Sequence, residues 1–119
     1  MKVPIVVYES GDVSLFDSVE SAEQALEPLD VANSEYRIFD GDGNELSASI
    51  QQAPGKGLFG RFGGTTRTVK ISEAATPSNR EAELYELLAG FMKKVDPTFE
   101  RQKFPRLSHL ISRISRIGR

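Results

Sequence analysis

The chain has 119 residues, 39% hydrophobic and 27% charged, with a net charge of −2, one histidine and no cysteine. That length supports a single domain with a modest core. The missing cysteines exclude a disulfide framework, a thiolate nucleophile and Cys-ligated zinc. No apolar run approaches the roughly 20 residues of a membrane-spanning helix, and the opening MKVPIVVYES turns acidic too soon for a signal peptide. A cytoplasmic protein with no membrane partner is therefore expected.

Taken in chain order, VPIVVYE at 3–9 is apolar and β-branched, SGD at 10–12 supplies turn chemistry, and VSLF at 13–16 alternates. Residues 3–16 therefore read as a hairpin. From 17 to 28 the period becomes helical, with Val19, Ala22, Ala25 and Leu26 on one face. Asp17 or Ser18 suits the N-cap, Glu20 stands where a capping box would place it, and Pro28 reads as the stop. EYRIFDGDGNELSASI at 35–50 gives two strands around a turn from Asp40 to Asn44. Their apolar face is Tyr36, Ile38, Leu46, Ala48 and Ile50. A glycine-rich hairpin loop, expected to be flexible, spans 53–65, and TTRTVKIS follows as a strand with Val69 and Ile71 on one side.

The strongest helical pattern is 79–95, with Leu84, Tyr85, Leu87, Leu88, Phe91, Met92 and Val95 on its apolar face. Ser78 and Glu81 fit a capping box, Lys93 and Lys94 suit its last turn, and Asp96-Pro97 ends it. In the C-terminal stretch Leu107, Leu110, Ile111, Ile114 and Ile117 share one arc, with His109, Arg113 and Arg116 opposite. These elements predict an α+β domain covering 1–119. An antiparallel sheet of four or five strands carries the long helix on one face with the C-terminal amphipathic helix beside it, and a short helix lies near 18–27.

Charge is unevenly spread. Residues 1–50 hold eleven Asp/Glu against Lys2 and Arg37, a net −9, while 51–119 hold thirteen Lys/Arg against six Asp/Glu, a net +7. Such polarity either neutralises itself on folding or presents an acidic and a basic face to partners.

Each motif suggestive of chemistry has a simpler explanation. GKGLFG at 55–60 fits G-x-G-x-x-G, but RFGGTTRT follows where a dinucleotide site needs a helix, and Lys56 precedes Gly57 where a Walker loop needs Ser or Thr. What remains is a mildly basic tip whose Phe59, Arg61 and Phe62 suit a binding contact, with nucleic acid or with protein. DGDGNE at 40–45 resembles the start of an EF-hand, yet Glu45 stands where Gly is required and Gln51 where Glu is required, so a tight turn is preferred. One histidine cannot form a His-based metal cluster, and no Ser-His-Asp signature accompanies it. No enzyme and no cofactor are expected.

A longer string carries a resemblance. Tyr8-Glu9-x-Gly11-Asp12, Phe16-Asp17-Ser18, Ala22-Glu23, Leu26-Glu27-Pro28 with Asp30, Glu35-Tyr36, and Asp40 with Gly43 lie within 5–46, about a third of the chain. This string resembles small bacterial proteins encoded beside polymorphic secreted toxins, where they look like immunity proteins. The resemblance implies a binder that occludes one cognate toxin by stoichiometric contact. For a toxin with a basic cleft, the expected contacts are Asp17, Glu20 and Glu23 at the first helix and Asp40, Asp42 and Glu45 at the turn. Phe59, Arg61 and Phe62 form a second candidate surface. The alternative is a nucleic-acid-binding or regulatory module using that basic loop and the basic C-terminal helix.

Overall fold

Ser10 and Gly11 both adopt positive φ, 48° and 91°, the backbone of a two-residue hairpin turn. They join β1 (Ile5–Glu9) to β2 (Asp12–Phe16), as the SGD signal predicts. The computed structural model describes residues 1–54, 65–76 and 78–117. The tip of the glycine-rich hairpin, with Phe59, Arg61 and Phe62, lies outside the described residues. Beyond the first hairpin come α1 (Val19–Ala25), α2 (Pro28–Ala32), β3 (Arg37–Phe39), β4 (Glu45–Pro54), β5 (Thr65–Glu73), α3 (Glu81–Val95) and α4 (Leu107–Ile117). A single 3-10 turn at Arg101–Lys103 precedes α4. All strand pairs are antiparallel, in the order β2-β1-β3-β4-β5, with Val7 opposite Ile38, Ile38 opposite Leu46 and Ala48 opposite Ile71. The α+β class, the five-stranded sheet and both main helices are as expected.

Two local expectations are corrected and a third is extended. Ser18 caps α1, its hydroxyl accepting from the Ser21 amide at 3.1 Å, so Ser21 and not Glu20 stands three residues in. The Ser21 hydroxyl donates back to the Ser18 carbonyl at 3.0 Å, a contact of opposite sense to that of a capping-box glutamate, which accepts from the cap residue's amide. Pro28 follows the end of α1 at Ala25, as a stop should, but the helical region continues beyond it. Pro28 opens α2, where its fixed φ and missing N–H suit the first turn. At the start of α3, Ser78 makes no cap, because it stands two residues before the cap position at Arg80, and its carbonyl accepts from the Glu45 amide at 3.2 Å. The Asn79 side chain accepts from the Glu81 amide at 3.1 Å instead.

The sheet is covered on both faces. On one, Ile5, Val7, Ile38, Leu46, Val69 and Ile71 pack against Ala22 and Leu26 of the α1–α2 layer. On the other, Val6 and Phe39 pack against Leu84, Leu88 and Met92 of α3 and Leu107, Leu110, Ile111 and Ile114 of α4. The alternation expected at 36–50 is the α1–α2 side, and Phe39, fully buried, belongs to the opposite core. Central strands buried twice lose the simple alternating pattern, which is why IVV at 5–7 reads as a continuous apolar run. The chain leaving α3 doubles back along it. The Tyr85 hydroxyl donates to the Phe104 carbonyl at 2.6 Å, and Arg101 pairs with Glu86 at 2.7 Å. As a result α4 runs alongside α3 in the same direction, with Arg113 reaching Asp96 at the end of α3 (3.8 Å).

Candidate functional site

The α1–α2 layer is acidic, while on the other side of the sheet α4 is basic and lies beside α3 with its Glu81, Glu83 and Glu86. From Asp12 to Tyr36 the sequence holds seven carboxylates and no Lys, Arg or His, and that stretch includes all of α1 and α2. From Arg101 to Arg119 it holds six Lys/Arg and no carboxylate, and that stretch includes α4 on the far side of the sheet. Among the described residues only two ion pairs join an acid of the first fifty residues to a cation of the rest apart from Arg37's own partners. They are Lys70 with Glu23 at 4.0 Å and Lys94 with Asp12 at 3.7 Å. The polarity of the sequence is therefore preserved as two opposed faces.

The expected acidic contacts divide into two groups. Asp17 and Glu20 are exposed at the start of α1, and Asp42 is exposed with Lys2 at 3.4 Å. Glu23, Asp40 and Glu45 are engaged inside the molecule. Glu23 accepts the Ile71 amide at 2.7 Å, so its carboxylate closes a position on the outer edge of β5, the last strand of the sheet. Glu45 makes a two-pronged pair with Arg37, both bonds at 3.1 Å, and Arg37 also holds Glu83 of α3 and lies over the Phe39 ring. This arrangement ties the first turn of α3 to the sheet.

Asp40 is 4% exposed, and its carboxylate accepts from the Asp42 amide (2.9 Å), the Asn44 amide (3.0 Å) and the Asn44 side chain (3.1 Å). Burial alone would raise its pKa. The hydrogen bonds from Asn44, Asp42 and Lys2 outweigh burial and hold the group below the ordinary carboxylate value. The same turn binds its neighbours, with Gly41 donating to the Lys2 carbonyl and Arg80 donating to that of Gly43 at 2.8 Å. It is a structural knot joining the N-terminus, the β3–β4 turn and the start of α3.

A second acidic cluster lies past α2, and only its place in the resembling string marked it beforehand. Glu35 is exposed, and its pKa is raised, first by a hydrogen bond with the Asp30 carboxyl, then by repulsion from Asp30, then by desolvation and by Glu9. The Tyr36 hydroxyl donates to Asp30 at 3.2 Å, and burial raises the Tyr36 pKa. Among the described residues no cation pairs with Glu9, Glu27, Asp30 or Glu35. Leu29, 66% exposed, stands between Glu27 and Asp30 on α2.

A groove of about 740 Å³ at the start of α3 and α4 is lined by Glu81, Glu83 and Glu86, of which Glu83 and Glu86 pair with Arg37 and Arg101. No group of three or more His, Cys, Asp or Glu among the described residues could hold a metal ion. No described helix is long and apolar enough to cross a membrane. Compared with protein-family models, curated proteins and solved structures, the chain matches none.

Proposed function

We propose that this protein is an immunity-type binder that neutralises a cognate secreted toxin by covering a basic surface on it with the α1–α2 face. The observation that carries the reading is the crowding of Asp30, Glu35 and Glu9 without a described counter-charge, beside the exposed Leu29. Like charges held together weaken the free protein, and a cationic partner would relieve that repulsion. An exposed apolar side chain flanked by Glu27 and Asp30 supplies the anchor that charge alone lacks. On this reading the contacts shift from those first expected. Asp17, Glu20 and Asp42 remain available, Glu27, Asp30 and Glu35 join them, and Glu23, Asp40 and Glu45 serve the fold. The resemblance over 5–46 supports the reading, because most of its shared positions lie on this layer or at the turns that frame it.

The test is binding to the product of the gene immediately upstream, by titration calorimetry and by protection of cells expressing it. Asp30→Lys with Glu35→Lys should weaken the complex by about 30-fold or more, the scale of a lost interfacial charge pair. If the purified protein neither binds nor protects against that product, the reading is lost.

A further inference from the structure

The opposite face carries a different surface. The exposed or half-exposed side chains of α4 are Ser108, His109, Ser112, Arg113, Ser115 and Arg116, together with Ile117 at its end, and none is a carboxylate. Below them a groove of about 380 Å³ is lined by Lys103, Phe104, His109, Ser112, Arg113 and Arg116. Phe104 is half-buried there, with Phe99 stacked on it at 5.6 Å between ring centroids. The Tyr85 hydroxyl, bonded to the Phe104 carbonyl, fixes the backbone beneath the ring.

We infer that this groove is a binding site for single-stranded nucleic acid, with Lys103, Arg113 and Arg116 on the phosphates and Phe104 offering its ring to a base. Phosphate contacts need cations and hydroxyl donors without competing carboxylates, and the outer face of α4 is made of those types. An aromatic among the cations is the second requirement of single-strand binding. An anionic membrane fits less well. The apolar side of α4, namely Leu107, Leu110, Ile111 and Ile114, is buried against the sheet and α3, which leaves almost nothing to enter a bilayer. Lys103 and Glu100 form a loose, exposed pair at 3.5 Å, and Arg113 and Asp96 a loose, half-exposed one at 3.8 Å, so a phosphate competes with a carboxylate at both cations. The inference does not depend on the toxin-binding reading, because it concerns the other face of the sheet.

The experiment is fluorescence anisotropy of the intact protein with labelled mixed-sequence 12-nucleotide RNA and DNA, at 50 and 200 mM salt. With three or four phosphates contacted, affinity should fall about 20- to 50-fold across that range. Arg116→Glu should weaken binding and flatten the salt dependence. Phe104→Leu, which keeps an apolar side chain beside Phe99, should weaken it about five- to a hundred-fold. Circular dichroism confirms that each variant is folded, and Arg61→Ala with Phe59→Ala should leave affinity unchanged. Four results would each overturn the inference. They are no binding at 50 mM salt, equal binding to polyglutamate, binding to phosphatidylserine vesicles but not to oligonucleotide, and loss of binding only with the Arg61 and Phe59 changes.

Discussion

Asp40→Ala should destabilise the protein by about 2–4 kcal/mol, although a reading of sequence alone makes Asp40 a surface contact. The change removes the acceptor for two backbone amides and one side-chain amide, bonded at 2.9, 3.0 and 3.1 Å, from a position 4% exposed. A buried donor left without a partner costs about 1–3 kcal/mol, and a made hydrogen bond contributes about 1 kcal/mol net. Asp42 itself is exposed, so water reaches part of the turn, which keeps the total near the lower end of the simple sum. Asp40→Asn retains one oxygen for the two backbone amides and should cost about 1 kcal/mol. Urea unfolding measures both. With a slope of roughly 1.5–2 kcal/mol per molar, the alanine variant should unfold about 1–2.7 M earlier at unchanged slope. Acid supplies a control with a definite sign. The folded pKa of Asp40 is lowered, so its contribution is present above the unfolded value near 3.8 and is lost as pH falls through the folded value. The gap between wild type and Asp40→Asn should therefore close below pH 3.8. An Asp40→Ala protein within about 0.5 kcal/mol of wild type would refute the structural role and return Asp40 to the list of partner contacts.

Three other measurements bear on the same architecture. Gly90 is exposed in the interior of α3, and an added Cβ would meet nothing within 4 Å, so Gly90→Ala should stabilise by about 1 kcal/mol in urea unfolding. A loss of stability there would mean that α3 is strained at that turn. Glu35 has a raised folded pKa, so its effect is fully present at low pH and is lost as pH rises through the folded value. Glu35→Gln should therefore be more stable than wild type at pH 7, with the difference vanishing below the unfolded value of about 4.5, as followed by thermal melts across pH. Glu23→Ala should cost about 1–2 kcal/mol and speed hydrogen exchange at the Ile71 amide, its bonded partner, while exchange at Leu88 follows global stability only.

The fold was legible wherever one local pattern decided the element. The positive-φ turn at Ser10-Gly11, the β-branched run at 65–72 and the apolar face of 81–95 each appear where the residues place them. Helix boundaries were less legible because several residue types compete for the same cap. Ser78 has cap chemistry, but α3 begins with Arg80 at the cap position, two residues on, and the side chain that reaches the first-turn amide is that of Asn79. Phe39 was missed because period-two reasoning assigns one buried face, and a second helical layer buries the other. In the candidate site, the type of each residue said what it could do, while its availability depended on distant partners. Glu45 is occupied by Arg37 and Glu23 by the Ile71 amide, contacts that no sequence spacing discloses. Asp30 and Glu35 meet because α2 and the turn after it bring the Glu35 amide to the Asp30 carbonyl at 3.0 Å.

A net charge of −2 describes this protein poorly, because its charges are sorted onto two faces with an apolar double core between them. With about 10 Å between packed layers, the α1–α2 and α4 surfaces stand roughly 20 Å apart. The Debye length at physiological ionic strength is about 8 Å, so each face is screened from the other and meets partners as an independent surface. At roughly 0.01 M salt that length grows to about 30 Å, and the two faces then act on an approaching partner together. A basic protein drawn to Asp30 and Glu35 would at that salt also feel Arg113 and Arg116 through the domain. Low salt should thus strengthen its association less than the acidic layer alone would suggest. The same reasoning applies in reverse to an oligonucleotide approaching α4. The shape of the salt dependence, steep at physiological strength and flattening below it, follows from the placement of charge across the sheet and not from its total.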